Sequence, residues 1–153
     1  MRLTLTAAVL CCAAMLCTGV RAQTITECGR SDGYAYYFSG GLISPDKAGW
    51  VKDGIDGGRI ILNFINDEVD LLIKNATGAT ASVKQDGGKI IIRKTTSGLI
   101  RLTVLYGAET ATEDYVFQVD DRGNGTVVFT TVRTAADTIN KMSLMTAKCT
   151  GPK

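Results

Sequence analysis

The chain is 153 residues long, 45% hydrophobic and 21% charged, with 17 basic and 15 acidic side chains and no histidine. Without histidine there is no Ser-His-Asp or Cys-His nucleophilic system, and the commonest zinc and haem ligand is missing. A formal net charge of +2 gives no electrostatic footprint for nucleic acid.

The first element is a leader. Arg2 is the only charge before Arg21, and Leu3 to Leu16 is apolar or small apart from Thr4 and Thr6. Val20-Arg21-Ala22 puts small residues at the two positions a signal peptidase reads. A secretory signal peptide is expected over residues 1–22, cut before Gln23, followed by a single all-β domain over 23–153. The apolar run is too short to span a bilayer comfortably, and no second apolar span follows it. Ala14-Met15-Leu16 lacks the small residue that lipoprotein signals place ahead of a cysteine. Arg2 and Arg21 leave with the leader, so 15 basic residues face 15 acidic ones and the net charge falls to zero. Lys89, Arg93 and Lys94 form the densest basic cluster; with no stacking aromatic nearby, they read as a solvated strand end.

Cys11, Cys12 and Cys17 also lie in the leader, leaving Cys28 and Cys149 near the two ends of the domain. An exported chain predicts a disulfide between them. It closes a loop of 121 residues, for which the chain-entropy model gives roughly 4–5 kcal/mol. A redox or metal role would need a CxxC-type spacing or further ligands, and neither is present. Export and the disulfide together imply a periplasmic or secreted protein.

Beyond the leader the signal is period-two hydrophobicity broken by glycine turns. Tyr34, Tyr36 and Phe38 alternate with Ala35 and Tyr37. Ile60, Leu62 and Phe64 share a face, and Val69, Leu71 and Ile73 oppose Glu68, Asp70 and Lys74. Ala81 and Val83 mark a weaker strand, and Ile90 and Ile92 alternate with Lys89 and Arg93. Ile100, Leu102, Val104 and Tyr106 oppose Arg101 and Thr103. Tyr115, Phe117 and Val119 oppose Asp114, Gln118 and Asp120. Val127 and Phe129 lie across the pleat from Thr126 and Thr130, and a last strand runs from Met142 to Cys149. Asp86-Gly87-Gly88 and Asn124-Gly125 supply the positive φ of tight hairpins. Only Thr134 to Lys141 has room for a short turn of helix. About eight to ten strands joined by short hairpins predict an antiparallel meander closing into a small barrel, which hides its sheet edges. A two-layer β-sandwich satisfies the same alternation.

Candidate chemistry is sparse. Asp67, Glu68 and Asp70 cluster at a strand start, where a carboxylate pair facing a cleft could do acid/base hydrolysis; the plainer reading is a charged, solvated edge. Asp53 and Asp56 flank glycines, as do Asp120, Asp121 and Asn124, but the ligand spacing and closing glutamate of a calcium loop are absent. Turn formation explains both. No metal or other cofactor is implied. The sequons at Asn75 and Asn124 also read as turn residues. Tyr34, Tyr36, Tyr37, Phe38 and Trp50 crowd the N-terminal part, and the alternating aromatics read as core filling. Tyr37 falls across the pleat from Tyr36 and Phe38 and is expected to face outward. With Trp50, in a glycine-flanked segment, it is the candidate contact pair.

The chain resembles small exported all-β proteins of unassigned function from alphaproteobacteria. The resemblance runs through Cys28, Gly33-Tyr34-Ala35-Tyr36-Tyr37, Gly49-Trp50, Asp53-Gly54-Ile55, Tyr115-Val116-Phe117-Gln118, Gly123-Asn124-Gly125-Thr126-Val127-Val128, Ser143-Leu144 and Cys149. It implies a periplasmic or secreted bacterial protein and brings no catalytic residues. The architecture is also similar to that of periplasmic lysozyme and protease inhibitors, although the lysozyme inhibitors' Ser-Gly-x-x-Tyr signature is absent. The leading expectation is a non-enzymatic exported binding module, an inhibitor or envelope accessory protein, contacting a macromolecule through a loop end or Tyr37 and Trp50. A carrier of a small apolar ligand in a barrel cavity comes second, and a histidine-independent hydrolase using Asp67, Glu68 or Asp70 third. No nucleic-acid partner and no membrane span in the mature chain are expected.

Overall fold

The computed structural model describes residues 22–152 apart from 67, 76, 97, 108–110 and 135–138, with 94 and 95 described in the backbone only. The expected leader, except Ala22, lies outside the described residues, as do Asp67 and residues 135–138 of the expected helical turn before the last strand. Ten strands form one antiparallel sheet: β1 (Ala22–Tyr37), β2 (Gly49–Ile55), β3 (Arg59–Ile65), β4 (Glu68–Lys74), β5 (Thr80–Ser82), β6 (Lys89–Thr96), β7 (Leu99–Leu105), β8 (Ala111–Val119), β9 (Gly125–Arg133) and β10 (Lys141–Thr150). A short helical turn at Pro45–Lys47 precedes β2.

The strand order is β5-β4-β3-β1-β10-β9-β8-β7-β6. β6 to β10 form an unbroken meander, and β1 joins it to the β3–β5 meander. β1 is 16 residues long, so its first part pairs with β3 and its second part with β2 along the same edge. Among the described residues no ladder joins β5 to β6, so the sheet curls into a half-barrel and stops. Cys28 and Cys149 stand opposite each other on β1 and β10 and are bonded, both buried. The first and last strands are therefore neighbours, but in the middle of the sheet rather than at a seam where its edges meet.

The concave face follows the hydrophobic alternation on most strands. Leu62, Leu71, Val83, Leu102, Val104, Phe117 and Val127 are its fully buried members. Tyr115 stacks on Phe129 at 5.4 Å and on Phe117 at 6.1 Å.

β1 reverses the expected alternation. Ala35 is fully buried, whereas Tyr34 and Phe38 are exposed on the convex side. The inner side of β1 lies too close to β10 for a large residue: a Cβ on Gly33 would come within 2.1 Å of the Leu144 carbonyl oxygen. Small residues are forced inward and the aromatics turn out. β2 was not apparent as a strand, because its three glycine and aspartate turn signals mask a polar edge strand that pairs with β1 from Ser31 to Tyr37. The β8–β9 turn also differs in detail. Its positive φ falls on Gly123, not on Asn124-Gly125, and Asp120 accepts the Arg122 and Asn124 backbone N–H groups at 2.9 Å each. The Asn124 and Arg122 N–H bonds outweigh desolvation and hold the Asp120 carboxyl below its usual range.

Candidate functional site

Pairing registers resolve the concave face into rungs that run across β1, β10, β9 and β8. At one end stand Ser31, Ala147, Val127 and Phe117; next come Gly33, Met145, Phe129 and Tyr115. The following rung is Ala35, Ser143, Thr131 and Glu113, and the last is Tyr37, Lys141, Arg133 and Ala111. The lining thus passes from aliphatic and aromatic to small and polar, and then to charged. Small side chains in the third rung leave space, and the charged ones of the last rung stand round its mouth.

That space is a cup of about 240 Å³ whose lining includes Asp53, Arg59, Lys74, Glu113, Arg133 and Lys141. Glu113, Tyr115, Arg133 and Ile73 also line an adjoining open cleft of about 710 Å³, which reaches Tyr106 and the Asp86-Gly87 turn. The cup and the cleft share one wall.

Two polar groups shape the cup. Asp53, brought in by β2, accepts hydrogen bonds from Lys141 Nζ at 3.1 Å, the Gly54 N–H at 2.8 Å and, at a long 3.5 Å, the Tyr37 hydroxyl. The Lys141 ammonium also lies 5.5 Å from the centre of the Tyr37 ring, within cation–π range. Burial pushes the Asp53 carboxyl up, but the Lys141 hydrogen bond, the Gly54 N–H and the Lys141 charge outweigh it, so the group stays below its ordinary value. Opposite, Glu113 is only 7% exposed. Its Oε2 accepts the Tyr115 hydroxyl at 2.7 Å and, more weakly, the Tyr106 hydroxyl at 3.5 Å. Burial, reinforced by the Glu113 charge, pushes Tyr106 up to about 12 and Tyr115 well above its ordinary 10.0. Both hydroxyls therefore stay protonated as donors through the whole neutral range.

Of the residues singled out from sequence, Tyr37 and Asp53 stand at the cup and the others fall elsewhere. Tyr37 is half-buried on the concave side rather than outward, because β1 turns its small residues and Tyr37 in and its other aromatics out. Trp50 is 64% exposed on the convex face, where it packs edge-on against Tyr36 at 5.5 Å, and Tyr36 against Phe38 at 5.1 Å. Tyr34 (59% exposed), Leu144 (53%) and Met142 (44%) extend the same face across β1 and β10. Glu68 and Asp70 do not act as a pair. Glu68 is exposed and salt-bridged to Lys84, whose hydrogen bond and charge lower its pKa. Asp70 is not on a solvated edge but buried, accepting the Leu71 N–H at 2.8 Å and the Ser82 hydroxyl at 2.6 Å. Neither carboxylate reaches the cup. Asp56 is held by Arg30 at 3.0 Å, and no group of three potential metal ligands occurs among the described residues.

Glu113, Arg133 and Lys141 carry the cup, and none stood out in the sequence. The signal was parity: each continues the inward alternation of its strand by one or two steps, at the same end of three adjacent strands. No protein-family model matches the chain, and no curated protein or solved structure matches it either. No helix among the described residues is long and apolar enough to cross a membrane.

Proposed function

We propose that the chain is an exported, non-enzymatic binding module whose ligand site is the polar cup on the concave face. The observation that carries this reading is the convergence of Asp53–Lys141, Glu113–Tyr115 and Arg133 on one space of about 240 Å³. A concave space with a few placed polar groups is the usual form of a small-ligand site, and this one falls just below the roughly 300–1,000 Å³ of drug-sized pockets. A small polar solute suits it better than the apolar ligand expected from a hollow barrel, because an apolar guest would desolvate the charged rim without pairing it. The periplasmic or secreted setting rests on the leader pattern in residues 1–22 and on the Cys28–Cys149 bond, which an oxidising compartment preserves.

The test is native mass spectrometry of the protein purified from its own source, alongside Ile55→Trp. Ile55 lines the cup but is 42% exposed, so a large residue there narrows the cup without touching the core. A small adduct on the wild type that is lost in the variant supports the reading. An adduct that survives Ile55→Trp, or a thermal midpoint unmoved by every member of a panel of polar metabolites, overturns it.

A second reading, an inhibitor or accessory protein that docks on an envelope protein, is favoured by the exposed Trp50, Tyr34, Met142 and Leu144 on the convex face. Trp50 is the only tryptophan, so its emission separates the two. Docking on the convex face shifts it to the blue, and filling the cup leaves it unchanged.

A further inference from the structure

We infer that the cup selects a small hydroxylated monocarboxylate, of the kind represented by a sugar acid, and that Arg133 is the anchor for its carboxylate. This rests on the small-ligand reading of the cup and goes further by naming the ligand's chemistry.

The inference comes from charge pairing around the cup. Its basic lining residues are Arg59, Lys74, Arg133 and Lys141, and its acidic ones are Asp53 and Glu113. Lys141 is spent on Asp53 at 3.1 Å, and Arg59 on Glu27 at 3.1 Å outside the cup. Arg133 and Lys74 enter no ion pair among the described residues. Among the described residues, the four cations set against Asp53, Glu27 and Glu113 leave one positive charge in excess, so a monoanion completes the site and a dianion overfills it. Arg133 is exposed at the mouth, common to the cup and the cleft. Its planar fork matches a carboxylate with two parallel hydrogen bonds.

The rest of the lining asks for hydroxyl groups. The Tyr115 and Tyr106 hydroxyls both converge on Glu113 Oε2, which leaves the other carboxylate oxygen able to accept from a ligand hydroxyl. Ser143 and Thr131 line the same wall and can both donate and accept. A plain aliphatic acid would leave these groups unpaired inside the cup, a cost that sites built for hydroxyls use to reject deoxy analogues. The adjoining cleft of about 710 Å³ opens directly off the Arg133 end. The same acid can therefore enter free or as the end residue of an acidic oligosaccharide.

The experiment is isothermal titration of the full disulfide-bonded domain with D-glucuronate, D-glucose, hexanoate, citrate and a galacturonate trisaccharide. Glucuronate is expected to bind, with glucose, hexanoate and citrate each at least roughly tenfold weaker, since glucose lacks the carboxylate, hexanoate lacks the hydroxyls and citrate brings more negative charge than the site pairs. Arg133→Met should weaken glucuronate by roughly tenfold or more, and Arg133→Lys should recover part of the loss. The control Lys52→Met, on the convex face, should change nothing. Equal or better binding of the trisaccharide assigns the chain end as the natural form, and its exclusion assigns the free acid; both uphold the carboxylate anchor. Glucose binding as tightly as glucuronate, with Arg133→Met silent, overturns the anion inference and leaves the small-ligand reading standing. Failure of every ligand to bind overturns the inference, while a source-derived adduct lost in Ile55→Trp would still uphold the cup.

Discussion

The two ends of the concave face are built on opposite principles. At the disulfide end the chain is tied shut. Cys28 bonds Cys149, Thr26 donates its hydroxyl to the Gly123 carbonyl at 2.6 Å, and a Cβ on Gly123 would lie 2.2 Å from the Ile25 carbonyl oxygen. Behind this seal Phe117, Leu102 and Val127 are wholly buried. At the other end β1, β10, β9 and β8 present Tyr37, Lys141, Arg133 and Glu113 around an open cup. One sheet face thus separates the work: close packing and cross-linking hold one end, and hydrogen-bonded charge shapes the other. A curled sheet with an open seam can keep a cup only if its far end is stable enough to carry the polar groups.

If that division is right, the largest losses of stability come from the sealed end. Reducing the disulfide, or replacing both cysteines by serine, releases a loop of 121 residues and should lower unfolding free energy by roughly 4–5 kcal/mol. The denaturant midpoint with and without reductant measures it. A loss below about 1 kcal/mol would mean that the β1–β10 ladder holds the termini without help. Phe117→Ala should cost about 3–5 kcal/mol, whereas Arg133→Ala, at the exposed rim, should stay within about 0.5 kcal/mol. Comparable losses at the two positions would erase the distinction between the ends.

How much of this was legible beforehand differs between the ends in the same way. The sealed end was readable because its information is local: apolar alternation in Val127 and Phe129 or in Tyr115 and Phe117 marks an inward face wherever the strand ends up. The Cys28–Cys149 pair followed from counting. The cup was not readable, because it exists only after register is known. Glu113 has polar neighbours on both sides and looks like a solvated strand end until Thr131 is placed opposite it. Asp53 reads as a turn residue until β2 pairs with β1. The inversion at Tyr34, Tyr36 and Phe38 has a related cause. Hydrophobicity normally marks the inward face, but here the closeness of β1 to β10 selects by size, so Gly33 and Ala35 go in and Tyr34 and Tyr36 go out.

Between the ends stands Tyr115, whose ring belongs to the aromatic stack and whose hydroxyl belongs to Glu113. Tyr115→Phe keeps the ring and removes a buried donor from a carboxylate, so it should cost about 1–3 kcal/mol. It should also change the alkaline limb. Tyr106 and Tyr115 have pKa values raised above the ordinary 10.0, Tyr106 to about 12. Their contribution is complete below pH 10 and is lost as pH rises from 10 towards 12. The wild type should lose stability across that window, and Tyr115→Phe should lose less. An unfolding free energy that is flat from pH 9 to 12 would contradict the buried tyrosine–Glu113 arrangement.

The smallest expected effect tests the rim alone. The Asp53 carboxyl is raised by burial and lowered more by Lys141, the Gly54 N–H and Tyr37, so its folded pKa lies below the ordinary 3.8. A depressed carboxylate contributes stability that is present above its unfolded pKa and is lost as pH falls through its folded one. Asp53→Asn should therefore be less stable than wild type by about 1 kcal/mol at neutral pH, and the two should converge below about pH 4. Lys141→Met sharpens the test by removing the main opposing group and leaving burial opposed only by the Gly54 N–H and Tyr37, so the acid loss linked to Asp53 should shrink or reverse relative to the wild type. A wild-type advantage over Asp53→Asn that stays constant from pH 7 down to pH 3 would show that Asp53 acts through shape rather than charge. The rim would then be a packed edge like the sealed end, not an electrostatic one.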